Sequence, residues 1–215
     1  TEAGDDQTTT TGTEEPDDPG ETEGDPDAVA LAQRVNLTLD DFDETWTEDP
    51  APADDGSPTI NDCFVETDIE AVTVGKAETG TFADEVSAEA VQLVTMQTVV
   101  LDAPETAEAI VAEFSGDAFA TCATDVMRNS FGEGGNASLA LRPDEPAWTE
   151  ESTGLVGDIT IPNGDSSYDG VVDVHIFRTA QVVSFTATVD VSVGIEALLG
   201  QIYATVAERH ATEVG

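Results

Sequence analysis

Positive charge is what this sequence has least of. Against 46 Asp and Glu it carries 6 Lys plus Arg, a formal net charge of -40. Proteins that bind nucleic acid draw their affinity largely from Lys and Arg neutralising phosphates, so nucleic acid is excluded as a direct partner. An anionic membrane surface would repel the chain for the same reason. Acid in this excess serves solubility and fits a saline habitat or an acidic proteome, with a basic partner or a divalent-cation role as the alternative. Long apolar runs are missing as well: none approaches the ~20 residues needed to span a bilayer. Metal-binding patterns are absent, since neither His-x-x-x-His nor a cysteine pair at zinc spacing occurs. There is no G-x-S-x-G elbow and no internal repeat. Accordingly no metal, cofactor or catalytic set is expected.

What remains suits one domain with a real core, 215 residues of which 39% are hydrophobic. The chain opens on Thr1, which reads as lying downstream of a removed leader. Residues 1–27 consist almost wholly of Asp, Glu, Thr, Gly and Pro. They cannot bury enough apolar surface to offset their ordering entropy, so they are expected to form a disordered acidic tether, with a single domain over 28–211. In that domain Val29, Leu31, Ala32 and Val35 are spaced for a short helix, and Leu37, Leu39, Phe42 and Trp46 follow as an apolar string. Pro50 to Pro58 reads as a loop, Ile69 to Val74 as a weak strand and Val91 to Leu101 as a strong one. Pro104 starts a helix that breaks near Ser115 and Gly116 and resumes past Phe119, Cys122 and Val126.

The organising stretch is Val171 to Val191. Val172, Val174 and Ile176 alternate with Asp173, His175 and Phe177, and beyond a short turn Val183, Phe185, Ala187 and Val189 alternate with Ser184, Thr186, Thr188 and Asp190. This is a hairpin with one apolar face. The next segment offers a cover, because Ile195, Leu198, Leu199, Ile202 and Val206 form a helical stripe. Successive strands joined by short turns are antiparallel. The expected class is therefore α+β, a twisted antiparallel sheet with helices packed mainly on one face.

Candidate chemistry is sparse. A set of Ser184, His175 and Asp173 lacks an oxyanion loop, and two residues of strand rise separate Asp173 from His175 by roughly 7 Å. His210 reads as a cation near a helix C-terminus. Asp40, Asp41, Asp43 and Glu44 have the oxygens calcium favours without the spacing of a dedicated loop. The second sheet face, with His175, Phe177, Ser184 and Thr186, mixes small polar groups with an aromatic, as a shallow ligand groove does; the plain alternative is a solvated face. Cys63 and Cys122 either pair, closing a loop of about 60 residues for roughly 4 kcal/mol on the chain-entropy model, or stay as small buried hydrophobes in a reducing cytosol.

Several landmarks occur in a telling order: Asn36-Leu37-Thr38-Leu39-Asp40-Asp41-Phe42 before Trp46, Cys63 after a Pro-rich loop, Phe82, a strand and Asp102 leading into a helix with Ala107, Cys122, and the closing hairpin and helix. Over about residues 29 to 211 this order resembles the exported, often lipid-anchored actinobacterial domains similar to the extracellular sensor domain of mycobacterial-type receptor Ser/Thr kinases and to PsbP-like lipoproteins. The resemblance implies an extracytoplasmic domain of the cell envelope or secreted, a Cys63–Cys122 bridge, and a binding or sensing role without catalysis. It also implies that the acidic leader follows a lipidated cysteine. The expected partner is an envelope protein or a small apolar ligand, with membrane contact only through a lipid anchor. A carrier with an apolar cavity lined by Val183, Phe185, Ile195 and Leu199 is the second expectation, and a hydrolase the third.

Overall fold

The computed structural model describes residues 24–50, 58–87, 90–144, 146–164, 166–191 and 194–215. The expected tether therefore lies outside the described residues up to position 23, as does most of the Pro50 to Pro58 loop. In chain order the elements are α1 (Pro26–Val35), β1 (Thr47–Asp49), α2 (Ile69–Val72), β2 (Thr73–Glu78), β3 (Thr81–Ser87), β4 (Ala90–Leu101), α3 (Pro104–Phe114), α4 (Asp117–Ser130), β5 (Asn136–Pro143), β6 (Glu151–Asn163), β7 (Ser166–Thr179), β8 (Val182–Val191) and α5 (Glu196–Glu213). Local chemistry sets several boundaries. The Asp25 carboxylate accepts from the Asp27 and Ala28 N–H groups ahead of α1, and Pro26 occupies its first turn. Ile69 to Val72 form one helical turn rather than a strand, because Asp68 caps the Ala71 N–H, and extended structure begins only at Thr73.

The eight strands form one antiparallel sheet in the order β1-β3-β4-β8-β7-β6-β5, with β2 beside the far half of β4. The α+β class and the antiparallel sheet hold. The layering differs from expectation: helices cover both faces. Val183 and Phe185 of β8, with Val172, Val174 and Ile176 of β7, bury against α3 and α4 through Ala107, Ile110, Val111, Phe114 and Phe119. Strand alternation sends Val182 and Phe177 to the opposite face, where α1 and α5 supply Ala32, Val35, Leu198, Leu199, Ile202 and Val206. The helix that follows the hairpin thus covers the hairpin's polar face, and the apolar face is covered by helices from earlier in the chain.

Close approach fixes α1. A Cβ at Gly75 would stand 2.5 Å from the Ala28 backbone, so only glycine lets α1 lie on β2. At the other edge α4 guards β5. The Leu139 N–H donates to Thr124 Oγ1 (3.3 Å), Arg128 donates to the Ala137 carbonyl (3.1 Å), and the strand ends at Pro143. An edge capped by side chains and ended by proline offers little backbone for another strand to pair with.

Cys63 and Cys122 are disulfide-bonded, with Cα atoms 5.6 Å apart, and tie the 3-10 turn Ile60–Cys63 to α4. Phe64 packs at a tilt against Phe119, which touches Phe114, at centroid separations of 4.6 and 4.7 Å. The bridge therefore anchors the loop that closes this aromatic cluster. Replacing Cys122 by Ser is expected to lower unfolding free energy by roughly 2–4 kcal/mol in chemical denaturation. An unchanged denaturation midpoint would show that the loop is held without the bridge.

All six basic side chains are paired with acids. Arg34 meets Glu213, Lys76 meets Glu78, Arg128 meets Asp125, Arg142 meets Asp173, Arg178 meets Glu151 and Arg209 meets Asp41, each at 2.6 to 3.0 Å. Most carboxylates therefore have no cation, and their mutual repulsion opposes folding until salt screens it. Raising NaCl from 0.1 to 2 M should raise the thermal midpoint, by about 2–4 °C for each kcal/mol of repulsion relieved. A flat midpoint across that range would contradict this.

Candidate functional site

The polar face of the hairpin is neither solvated nor an open groove. His175, Phe177 and Ser184 are 0% exposed and Thr186 is 1%, all beneath α5. They do share one layer, because β7 and β8 pair His175 with Thr186 and Phe177 with Ser184. The layer divides into two hydrogen-bonded groups.

The first centres on His175. Its Nε2 lies 2.8 Å from Asp144 Oδ2 in the β5–β6 connection, and its Nδ1 lies 3.7 Å from Asp173 Oδ1. The neighbours two apart on one strand come closer than their rise implies because the imidazole leans toward Asp173. Room for the ring comes from Gly154 on β6, directly opposite, where a Cβ would stand 2.5 Å from Nδ1. Tyr203 of α5 closes the layer from above, tilted against the imidazole at 4.2 Å, its hydroxyl donating to Asp173 Oδ1 at 2.5 Å. Arg142 donates to Asp173 Oδ2 at 2.9 Å, and Ser152 donates to Asp144 Oδ2 at 2.8 Å.

Electrostatics follow from these contacts. Burial alone would depress the His175 pKa, but the hydrogen bond to Asp144 and the negative charges of Asp173 and Asp144 outweigh it and hold the pKa above its ordinary value. Burial pushes the Asp144 carboxyl up, and the His175 contact, Ser152 and Arg142 bring it below its usual value. Burial, then the Asp173 carboxylate, push the Tyr203 phenol up, so it stays a donor.

The second group is Thr98, Ser184 and His210. Ser184 Oγ lies 2.9 Å from Thr98 Oγ1 and 2.9 Å from His210 Nε2, with all three residues 0% exposed. Ser184 is therefore engaged with His210, not with His175, and the imagined set with Asp173 is not assembled. His210 itself is no surface cation at a helix end. It points onto the sheet, and burial lowers its pKa to about 4.

The remaining sequence candidates lie elsewhere. Asp41 receives two hydrogen bonds from Arg209 and one from the Thr38 N–H, and Asp43 accepts from Thr45. Among the described residues no three His, Cys, Asp or Glu side chains converge as a metal site. The four residues proposed to line a carrier cavity cannot line one, because Val183 and Phe185 face α3 and α4 while Ile195 and Leu199 face the other way. Two open depressions, of about 200 Å³ near Asn36 and Thr79 and about 470 Å³ near Thr45 and Glu85, lie away from all four.

Sequence reasoning missed Asp144, Arg142 and Tyr203. Tyr203 and His210 had a visible signal, since Leu199, Tyr203, Val206 and His210 continue the helical stripe at spacings of four, three and four. Asp144 had none, because it reaches His175 from a loop.

Fold and site together define an α+β domain whose antiparallel sheet is covered by helices on both faces and whose buried polar groups lie under the last helix. No protein-family model matches the chain, and no curated protein does. Two of the solved structures similar to it follow. The extracellular domain of PknH from Mycobacterium tuberculosis shares 11% identity with a TM-score of 0.46, covering 85% of this chain and 95% of that one. LpqN, described as involved in cell envelope biogenesis of Mycobacterium tuberculosis, shares 7% identity with a TM-score of 0.32, covering 77% of this chain and 76% of that one.

The two histidines are shifted in opposite directions. His175 binds a proton more tightly folded than unfolded, so its contribution is present below pH 6.5 and is lost as pH rises through its raised value. His210 binds one less tightly, so stability falls as pH drops from 6.5 toward 4, by on the order of 3 kcal/mol. Imidazole NMR signals should show one residue protonated above pH 6.5 and the other neutral to about pH 4. In His210→Gln the acid-side loss of stability should shrink. Two signals titrating together near 6.5 would refute the assignment.

Proposed function

We propose that this chain is a non-catalytic, extracytoplasmic binding or sensor-like domain. The observation that carries the reading is the disulfide set in the α3 and α4 core, since such bonds persist in oxidising compartments and are rare in the cytosol. The state of the polar layer supports it further. His175 and Ser184 are each held by buried partners under a helix, an arrangement that rigidifies a scaffold and presents no side chain to a reacting substrate. With the sheet covered on both faces, recognition falls to the loops and outer strands, where rigid domains usually carry it. The reading includes a lipid anchor upstream, which the landmark resemblance implies, with the acidic stretch ahead of α1 as tether.

Fractionation of the producing cells should find the protein in the envelope or medium with both cysteines oxidised. Non-denaturing mass spectrometry of that material should show a bound molecule or a co-purified envelope protein, lost on denaturation. Cytosolic protein with two free thiols would overturn the location, and a bare chain that captures nothing from the envelope would overturn the binding role.

A further inference from the structure

The network around His175 has two outlets at the surface. Arg142, with its side chain 45% exposed, and Trp148, 42% exposed, both emerge beside Tyr203. Arg142 Nη2 is held by Asp173 and lies 3.4 Å from the Tyr203 hydroxyl. The Trp148 indole packs edge-on against the Tyr203 ring at 5.6 Å. Its backbone N–H donates to Ser152 Oγ at 2.8 Å, and Ser152 donates to Asp144, the partner of His175. One buried assembly therefore fixes an exposed cation and an exposed aromatic from behind.

Arg142 differs from the other five basic residues. Their carboxylate partners are themselves partly exposed, from 15% to 63%, and so place negative charge at the surface beside the cation. The acid that Arg142 meets is 0% exposed and lies behind it, and among the described residues its other guanidinium N–H groups have no partner. Its guanidinium is partly exposed, and it and Trp148, the most exposed aromatic residue among those described, both contact Tyr203. Burying such a network is costly, and apolar packing of the same volume is often as stable, so stability alone does not account for it.

We propose that Arg142 and Trp148 form a recognition site for a small monocarboxylate carried on a flat apolar body. The guanidinium takes the carboxylate, for which its planar donor fork is suited, and the indole face takes the body. The net charge of -40 selects the monoanion, because each further negative charge on a ligand adds repulsion from the whole surface. Phosphates are disfavoured on this ground. The inference rests on the binding reading above and supplies its ligand class.

The test titrates the folded protein with benzoate, with neutral benzamide of the same shape, and with inorganic phosphate, all at a constant ionic strength of about 0.15 M, where the surface charge is only partly screened. Trp46 and Trp148 are the two tryptophans and Trp46 is buried, so fluorescence change reports chiefly on Trp148. Benzoate should give saturable quenching at least tenfold tighter than benzamide or phosphate. Arg142→Gln should weaken benzoate tenfold or more with near-UV circular dichroism unchanged. Should that variant unfold, Trp148→Ala, read by ligand-observed NMR, should show the same loss. Absence of saturable benzoate binding, or equal binding of benzoate and benzamide, overturns the proposal. If a native ligand is found and Arg142→Gln still holds it, the site is wrong while the binding role stands.

Discussion

The constraint on which this structure depends is that its central strands are buried on both faces while only one of those faces is apolar. A strand of β7 or β8 sends every second residue to each side. On one side those residues are Val172, Val174, Ile176, Val183 and Phe185, which need only apolar cover. On the other they include Asp173, His175, Ser184, Thr186 and Thr188, every one no more than 1% exposed. An unpaired buried charge or hydroxyl is expensive, so α5 has to bring partners as well as apolar surface. It brings Tyr203 to Asp173 and His210 to Ser184. The loop after β5 brings Asp144 to His175, and β6 leaves space for the imidazole by having Gly154 there, while the Thr186 and Thr188 hydroxyls stay buried without a side-chain partner among the described residues.

The same constraint explains the use of so few cations in so acidic a chain. Each of the six is paired, but only two lie close to the hairpin's own polar chemistry. Arg142 neutralises Asp173 inside the layer. Arg178, 7% exposed, gathers Glu150 and Glu151 and donates to the Ala180 carbonyl. Ala180 sits at φ 50°, a left-handed conformation unusual for alanine, and its N–H donates to Glu150. Thus the tight β7–β8 turn is held by an ion cluster instead of by glycine. The rest of the surface keeps its acid unneutralised, which favours solubility at the expense of stability in dilute buffer.

Much of the fold was legible because its signals are local. Alternation marked β4, β7 and β8, Pro104 marked the start of α3, and Ser115 and Gly116 marked the break before α4. The layering was not legible, because alternation records that two faces differ and not what covers each. A face carrying Asp173, His175, Ser184 and Thr186 reads as water-facing unless its partners are known, and those partners stand 26 to 86 residues away. Ile69 to Val72 were misread for a related reason: Asp68 imposes a helical turn that β-branched composition alone does not foresee. Of the candidate site, sequence found the four side chains of the layer and missed the three that give them their chemistry, since Asp144, Arg142 and Tyr203 belong to three other elements.

The two layers divide the work. The α3 and α4 layer is apolar, stapled by Cys63–Cys122, and tolerates small shifts at modest cost because dispersion and the hydrophobic effect have little directionality. The α5 layer is directional. Moving α5 along its axis by one turn, 5.4 Å, would separate Tyr203 from Asp173 and His210 from Ser184 together. A buried polar network thus costs stability and fixes register, and in fixing register it holds whatever emerges at its rim. What emerges is Arg142 and Trp148, on an outer strand and a loop that would otherwise be the least constrained parts of this end of the sheet.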